Sequence, residues 1–283
     1  MKGFVNLIKE SGMTSFDVVN KVKRKFNVPC GHMGTLDPMA SGVLAVGIGK
    51  TTRLFNYLLD KEKEYVADFS FGYETDTLDS TGKIVKEKKV VVKEEDILVA
   101  VKKFIGEIDQ IPPNYSAKSL NGRRCYELAR KGVEFSIEPK KVNIINFLYE
   151  GKIDENVYRF RVVCKGGTYI RSLARDLGLE LGTYGTMVKL DRRRAGIFTY
   201  ENAITIKEFM DTPVEDLKII PSDEAVDFRR ILLGARQSER LINGIKDDYI
   251  YTDGIYSVYS KEEFLGVGEV KDRQLKLKAY LKD

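Results

Sequence analysis

Residues 31–44, GHMGTLDPMASGVL, decide how the rest of the chain is read. They hold the only histidine, His32, and one carboxylate, Asp37, among glycines and small side chains. The apolar GVLAVGIG (42–49) that follows reads as a buried strand. An acid at the lip of such a strand has two readings. Asp before Pro commonly opens a turn. Alternatively, Gly34, Ala40, Ser41 and Gly42 clear space for a planar substrate to reach Asp37, and Pro38 stiffens the loop that presents it. A carboxylate placed in this way can act as a nucleophile, provided it stays ionised. Burial alone raises its pKa, whereas a cation in contact lowers it by ~1–3 units. An arginine on a rigid element is therefore required. GGTYIRSLARDLG (166–178) offers Arg171 in the first turn of a helix, one step off the stripe Ile170, Leu173, Ala174 and Leu177.

Working outward, TSFDVVNKVKRKFN (14–27) predicts a helix with Phe16, Val19, Val22 and Phe26 inward and Thr14 and Ser15 as caps. TTRLFNYLLD (51–60) predicts a second, with Leu54, Phe55, Leu58 and Leu59 inward, and EEDILVAVKKFIGEI (94–108) a third, burying Ile97, Leu98, Val101, Phe104 and Ile105. EYVADFSFG (64–72) alternates as a half-buried strand that carries Tyr65, Ala67, Phe69 and Phe71 on one face. YRFRVVCK (158–165) alternates in the same way. Strands and helices mix without a βαβ rhythm, which predicts an α+β fold with much antiparallel sheet. A composition change near IIPSDEAVDF (219–228) precedes GIYSVYS, EFLGVGEV and QLKLKAYL, read as the strands of a small β module. Two units follow, 1–222 and 223–283.

The segment 109–135 differs in kind. It opens with a double proline and carries five basic residues from Lys118 to Lys131 against one acid, Glu127. Excursions of this length from a rigid sheet are functional or disordered. With KVKRK (21–25) and DRRRAG (191–196) it makes three basic clusters in a chain of net charge +5, pointing to a polyanionic partner.

Other chemistries fail on spacing or on residue counts. GIGKTT (47–52) lacks the first P-loop glycine, a position taken by Leu44, and Thr52 stands where a dinucleotide fingerprint needs its third glycine. One histidine and three dispersed cysteines make neither a metal cage nor a disulfide framework. No GxSxG elbow accompanies His32, and no carboxylate pair is marked. No run approaches ~18 apolar residues, and no signal peptide is evident; the expected location is the cytoplasm.

GHMGTLDPMASGVLAVGIGKTTRL resembles the catalytic motif of the TruB-type pseudouridine synthases, which isomerise uridine 55 in the T-loop of tRNA. KEYVADFSFGYETDTLDSTG (63–82), IPPNYSAKSLNGRRCYELARKG (111–132), GGTYIRSLARDLG and LDRRRAGIF (190–198) resemble the other blocks of the family, in its order, over roughly residues 3–210. The last part of the chain resembles, more weakly, its PUA-type RNA-binding domain. The resemblance implies a pseudouridine synthase fold, with a largely antiparallel mixed sheet flanked by helices. It implies Asp37 as the catalytic aspartate, Tyr65 as the tyrosine stacked near the target base and Arg171 as the partner of the aspartate. Leu190 would line the uracil pocket and His32 would hold the remodelled T-loop. Lys118, Arg123 and Arg124 would belong to an RNA-clamping thumb at about 109–135. No cofactor, metal, guide RNA or membrane is implied, and a monomeric stand-alone enzyme is expected. Met33 and Met39 depart from the threonine and leucine common in the family. A non-catalytic tRNA-binding or assembly protein on the same scaffold is the rival; the joint presence of Asp37, Tyr65 and Arg171 argues against it.

Overall fold

The computed structural model describes residues 2–281 apart from 89, 117, 118, 121, 122, 132, 134 and 246, and the side chains of 119, 120, 123, 124, 129 and 130 also lie outside the described set. A ten-stranded mixed sheet runs in the order Ile204–Thr205, Gly3–Lys9, Ser41–Ile48, Gly185–Ala195, Lys63–Phe71, Val157–Cys164, Lys140–Asp154, Gly106–Gln110. Cys30–His32 and Phe198–Thr199 pair off this path. Along the path only the contacts of Gly3–Lys9 with Ile204–Thr205 and of Ser41–Ile48 with Gly185–Ala195 are parallel, so the sheet is largely antiparallel, as the missing βαβ rhythm predicts.

The helix Ser15–Phe26 starts at Thr14, whose side chain and that of Asp17 form a capping box. Ser15 is not the cap. Its hydroxyl instead holds both backbone groups of Leu36, accepting from the N–H at 2.9 Å and donating to the C=O at 3.0 Å. The inward stripe also shifts: Val18, Val19 and Val22 are buried, whereas Phe16 is 66% exposed. The predicted helix 51–60 is a 3-10 turn, Gly49–Leu54, followed by the short α-helix Phe55–Leu58, and Leu59 is exposed. Thr51, read at first as part of a false P-loop, is fully buried; its hydroxyl accepts from the Gly3 N–H at 2.9 Å.

The third predicted helix is shorter than its apolar pattern. It is α-helical over Glu94–Ala100 and 3-10 over Val101–Phe104; then Gly106, at φ +103°, lets the chain turn into the strand Gly106–Gln110. Leu98 and Ile105 consequently face outward. Lys63–Phe71 is buried on both faces, Asp68 and Ser70 included, because strands flank it on either side and Arg159 forks onto Asp68 at 2.7 and 2.9 Å. Its aromatic face continues into Phe160, whose ring stacks 4.8 Å from that of Phe69.

A separate four-stranded sheet, Arg229–Leu233, Gly254–Ser260, Glu263–Lys271, Gln274–Tyr280, forms the β-rich C-terminal part. The alternation of Leu275, Ala279 and Leu281 buries that face, and Val267, Ala279 and Leu281 pack in one cluster with Phe4, Val43 and Phe198 of the large sheet. Among the described residues, no helix is long and apolar enough to cross a membrane.

Candidate active site

Asp37 sits on a loop that is fastened from beneath. The Gly12 N–H donates to the Pro38 C=O at 2.9 Å, and the fully buried Lys9 ammonium reaches the carbonyls of Glu10, Met13 and Pro38 at 2.9, 2.7 and 3.3 Å. The Ala40 N–H closes a turn onto the Asp37 C=O at 3.0 Å. Asp37 therefore opens a turn and presents a side chain at once; the two readings of the sequence are compatible. Gly34 lines the same cavity as Asp37, whereas Gly42 and Ala40 serve the placement by close packing and not by clearing space. Gly42, at φ +109°, lies so near the neighbouring strand that a Cβ would fall 2.3 Å from the Arg192 C=O. Ala40 is wholly buried.

Arg171, in the first turn of Ile170–Glu180, forks onto Asp37: Nε lies 2.9 Å from Oδ2 and Nη2 donates to Oδ1 at 3.0 Å. The same guanidinium donates to the Thr77 and Tyr115 carbonyls at 3.0 Å each and lies 3.6 Å from Asp79. Asp79 is itself held by both Thr77 and Thr81. The Arg171 side chain is 9% exposed and that of Asp37 28%, so the arginine forms the back of the site and the carboxylate its open face. Burial pushes the Asp37 carboxyl above its ordinary 3.8; Arg171 pulls it back, and Asp79 adds to the rise. The sequence reading expects a net lowering by the arginine. That balance is reversed chiefly because the carboxylate is buried, and Asp79 adds a smaller push in the same direction. A reaction that needs the carboxylate thus loses rate as pH falls through a pKa above 3.8. The acid limb of kcat against pH should have its midpoint above that value; a midpoint at or below it would contradict the electrostatics.

Asp37, Tyr65, Arg171 and Leu190 line one cavity of about 610 Å³, together with Met33, Lys63, Tyr115, Tyr169 and Arg192. Tyr65 is buried apart from its side facing the cavity, and burial pushes its hydroxyl up to about 12, which keeps the phenol neutral. His32 is not among the lining residues. It ends the short strand Cys30–His32, half-buried, with Nδ1 enclosed and without a hydrogen-bond partner; burial and then Arg192 lower its pKa. The base of the 109–135 excursion is tied to the helix Ile170–Glu180. The Ile111 C=O accepts from Ser172 Oγ at 2.8 Å and from Arg175 Nη2 at 3.0 Å, and Gln110 and Tyr169 exchange two bonds. Its tip includes the short strands Ser119–Leu120 and Arg123–Arg124 and the helix Cys125–Arg130. Lys118 and the side chains of Arg123 and Arg124 lie outside the described residues.

Three lining or backing residues escaped the sequence reading. Asp79 had only the Asp- and Thr-rich turn TDTLDSTG as a signal. Lys63 is buried, its ammonium donating to the Leu59 and Lys61 carbonyls, and desolvation lowers it to about 8. Arg192 was counted as one of a basic cluster. Strand alternation and a bulge split that cluster: Arg192 turns in, Arg193 turns out and stacks 4.1 Å from the Tyr200 ring centroid, and the register shift between Arg192 and Arg194 sets Arg194 opposite Glu64, where it pairs with Glu62 and Glu64. DRRRAG is accordingly not a free phosphate-binding patch.

The chain matches the TruB family pseudouridylate synthase N-terminal domain over residues 22–170 and the tRNA pseudouridylate synthase B C-terminal domain over residues 171–233. The tRNA pseudouridine synthase B of Clostridium kluyveri is 40% identical, covering 98% of each chain. That of Clostridium tetani is 39% identical, covering 95% of this chain and 96% of its own. A solved Cbf5-Nop10-Gar1 complex matches with a TM-score of 0.71 at 26% identity, covering 98% of this chain and 79% of that one. A solved H/ACA ribonucleoprotein bound to a substrate RNA matches with a TM-score of 0.74 at 25% identity, covering 99% and 85%.

Proposed function

Since the chain belongs to the TruB family and is a pseudouridine synthase of the TruB type, we propose that it isomerises uridine 55 in the T-loop of tRNA, with Asp37 acting on the flipped-out nucleoside. The observation that carries this reading is the two-point pairing of Asp37 with Arg171 at the wall of a cavity that Tyr65 and Leu190 also line.

A uridine stacked inside a folded loop is out of reach until it is swung out, at a cost on the order of a few kcal/mol. The swung-out uracil lies between the Tyr65 ring and Leu190, a planar apolar slot suited to a base. The Asp37 carboxylate, held by two donors of Arg171, faces the ribose. The N1–C1′ bond breaks, the base turns, and C5 bonds to C1′. Asp37 serves either by attacking covalently or by taking a sugar proton to give a glycal; both need the same ionised oxygen near the same atoms. The neutral imidazole of His32 fills the space the uridine vacates and helps to offset the flip. No cofactor enters this scheme, and the enzyme works in the cytoplasm, alone and without a guide RNA. Residues 223–283 form a PUA-like module that adds RNA contacts, and the 109–135 excursion clamps the T-arm.

The position is tested with an unmodified tRNA transcript carrying cytidine in place of uridine 55. Pseudouridine formation should vanish with that transcript; modification continuing at another uridine would overturn the assignment. The clamp is tested by changing Lys118, Arg123 and Arg124 together to alanine. The expected result is weaker RNA binding, with the slope of log affinity against log salt reduced by about 2–3 and the fold unchanged. Unchanged affinity would remove these residues from the interface.

A further inference from the structure

Arg192 is among the largest fully buried side chains and is 1% exposed, yet no carboxylate lies within 4 Å of it among the described residues. Its bonds go to uncharged carbonyls: Nε donates to Val43 at 2.8 Å and Nη2 to Gly34 at 3.1 Å. The first fastens it to the strand behind the Asp37 loop and the second to the loop itself. A buried guanidinium that is not neutralised is costly, and its field is felt around it, since it disfavours the charged forms of Lys9, His32 and Lys63. It stands directly across the strand pairing from Tyr65, both line the cavity, and its charge acts on the Tyr65 hydroxyl. Asp37 and Arg171 line the same cavity, and with Asp79 buried behind them they form a group of net negative charge. The site thus has an acidic group for the sugar and a separate unneutralised cation beside the tyrosine.

Resting on the pseudouridine synthase reading, we propose that Arg192 is a positioning residue for the base-transfer step: it sets the Tyr65 phenol and holds a positive potential beneath the uracil that has just left the ribose. When N1–C1′ breaks, the electron pair stays with the base, which becomes an anion with charge spread over N1, O2 and O4. C1′ is satisfied by the Asp37 oxygen, or by a double bond to C2′ whose proton passes to Asp37. When C5 then bonds to C1′, the Asp37 oxygen leaves C1′, or on the glycal route Asp37 returns its proton to C2′; the C5 proton is lost and N1 gains one. The anion lives only between these two bond changes, beside a guanidinium already fixed in place, so the charge acts without reorganisation at the moment of reaction.

The test compares wild type, Arg192→Gln, Arg192→Lys and Asp37→Asn on tRNA transcripts made with uridine or with 5-fluorouridine, whose fluorine stabilises the departing base by itself. Single-turnover cleavage of N1–C1′, followed in digested nucleosides, RNA affinity and melting are recorded together. Arg192→Gln should lose about 10²-fold in rate on uridine and markedly less on 5-fluorouridine, with affinity nearly unchanged. Should the glutamine variant not fold, Arg192→Lys carries the test. Burial lowers the pKa of a lysine there, as it does for Lys9 and Lys63, so its rate relative to wild type should fall as pH rises from about 7 to 9 while its stability relative to wild type rises, because the unfolded chain keeps the proton that the buried lysine loses. An equal loss on the two bases, or an Arg192→Lys rate that follows wild type across that pH range, would overturn the proposal and leave the assignment of Asp37 intact. Turnover by Asp37→Asn would instead overturn the reading beneath it.

Discussion

Asp37→Asn is expected to lose at least about 10³-fold in pseudouridine formation at saturating tRNA, with tRNA affinity unchanged within about threefold. Asparagine keeps the shape of the side chain and one oxygen for Arg171, but neither attacks a sugar carbon nor removes its proton. The arginine is not stranded by the change, because it keeps the carbonyls of Thr77 and Tyr115 and lies 3.6 Å from Asp79. The fold should therefore survive, and the loss should be confined to kcat. Single-turnover assays beside filter binding separate the two quantities. Turnover within tenfold of wild type would take Asp37 out of the chemistry.

The second large effect belongs to Arg171. Arg171→Met removes the two bonds to Asp37 and leaves that acid facing Asp79 across a buried cavity wall. Breaking a buried pair by deleting one partner costs about 3–5 kcal/mol, and the Tyr115 carbonyl at the base of the 109–135 excursion loses its donor as well. The expected outcome is a rate loss of at least about 10²-fold, lower stability to urea, and an acid limb moved to higher pH, since the chief force lowering the Asp37 pKa is gone. Arg171→Lys keeps the charge without the fork and should fall between the two. Stability and acid limb both equal to wild type would mean that the pair does not govern the carboxylate.

Much of this site could be read before any coordinates. The need for a cation beside a half-buried acid led from Asp37 to Arg171 across more than a hundred residues, and the two meet at 2.9 Å. Alternation places Tyr65 on a buried strand face, and the structure keeps most of that face in the core while Tyr65, near the start of the strand, lines the cavity. What failed was arithmetic on charges and stripes. Counting Arg192, Arg193 and Arg194 as one cluster ignores the strand period that separates the first two and the bulge that turns Arg194 away from Arg192, leaving the last two beside Tyr200, Glu62 and Glu64. The stripe through Leu98 and Ile105 is continuous in sequence, but the helix tightens after Ala100 and stops before Gly106, so both side chains turn outward. Phe16 and Val18 exchange places for a similar reason: the helix phase is fixed by Ser15 clamping Leu36, a tertiary contact that periodicity does not register. The direction of the Asp37 shift is set first by how deeply the fold buries the carboxylate and is reinforced by Asp79, which the fold brings to Arg171; neither burial depth nor that contact is legible along the chain.

The likeness to proteins solved in H/ACA assemblies makes independence from a guide the sharpest question. The most direct measurement incubates the purified chain with an unmodified tRNA transcript tritiated at uridine C5, in chelator, without nucleotide or guide RNA. One equivalent of tritium should pass to water per tRNA, and none from the Asp37→Asn protein bound to the same transcript. Label that stays on the RNA with wild type, or leaves it equally fast with the asparagine variant, would contradict an unaided carboxylate as the agent of the exchange.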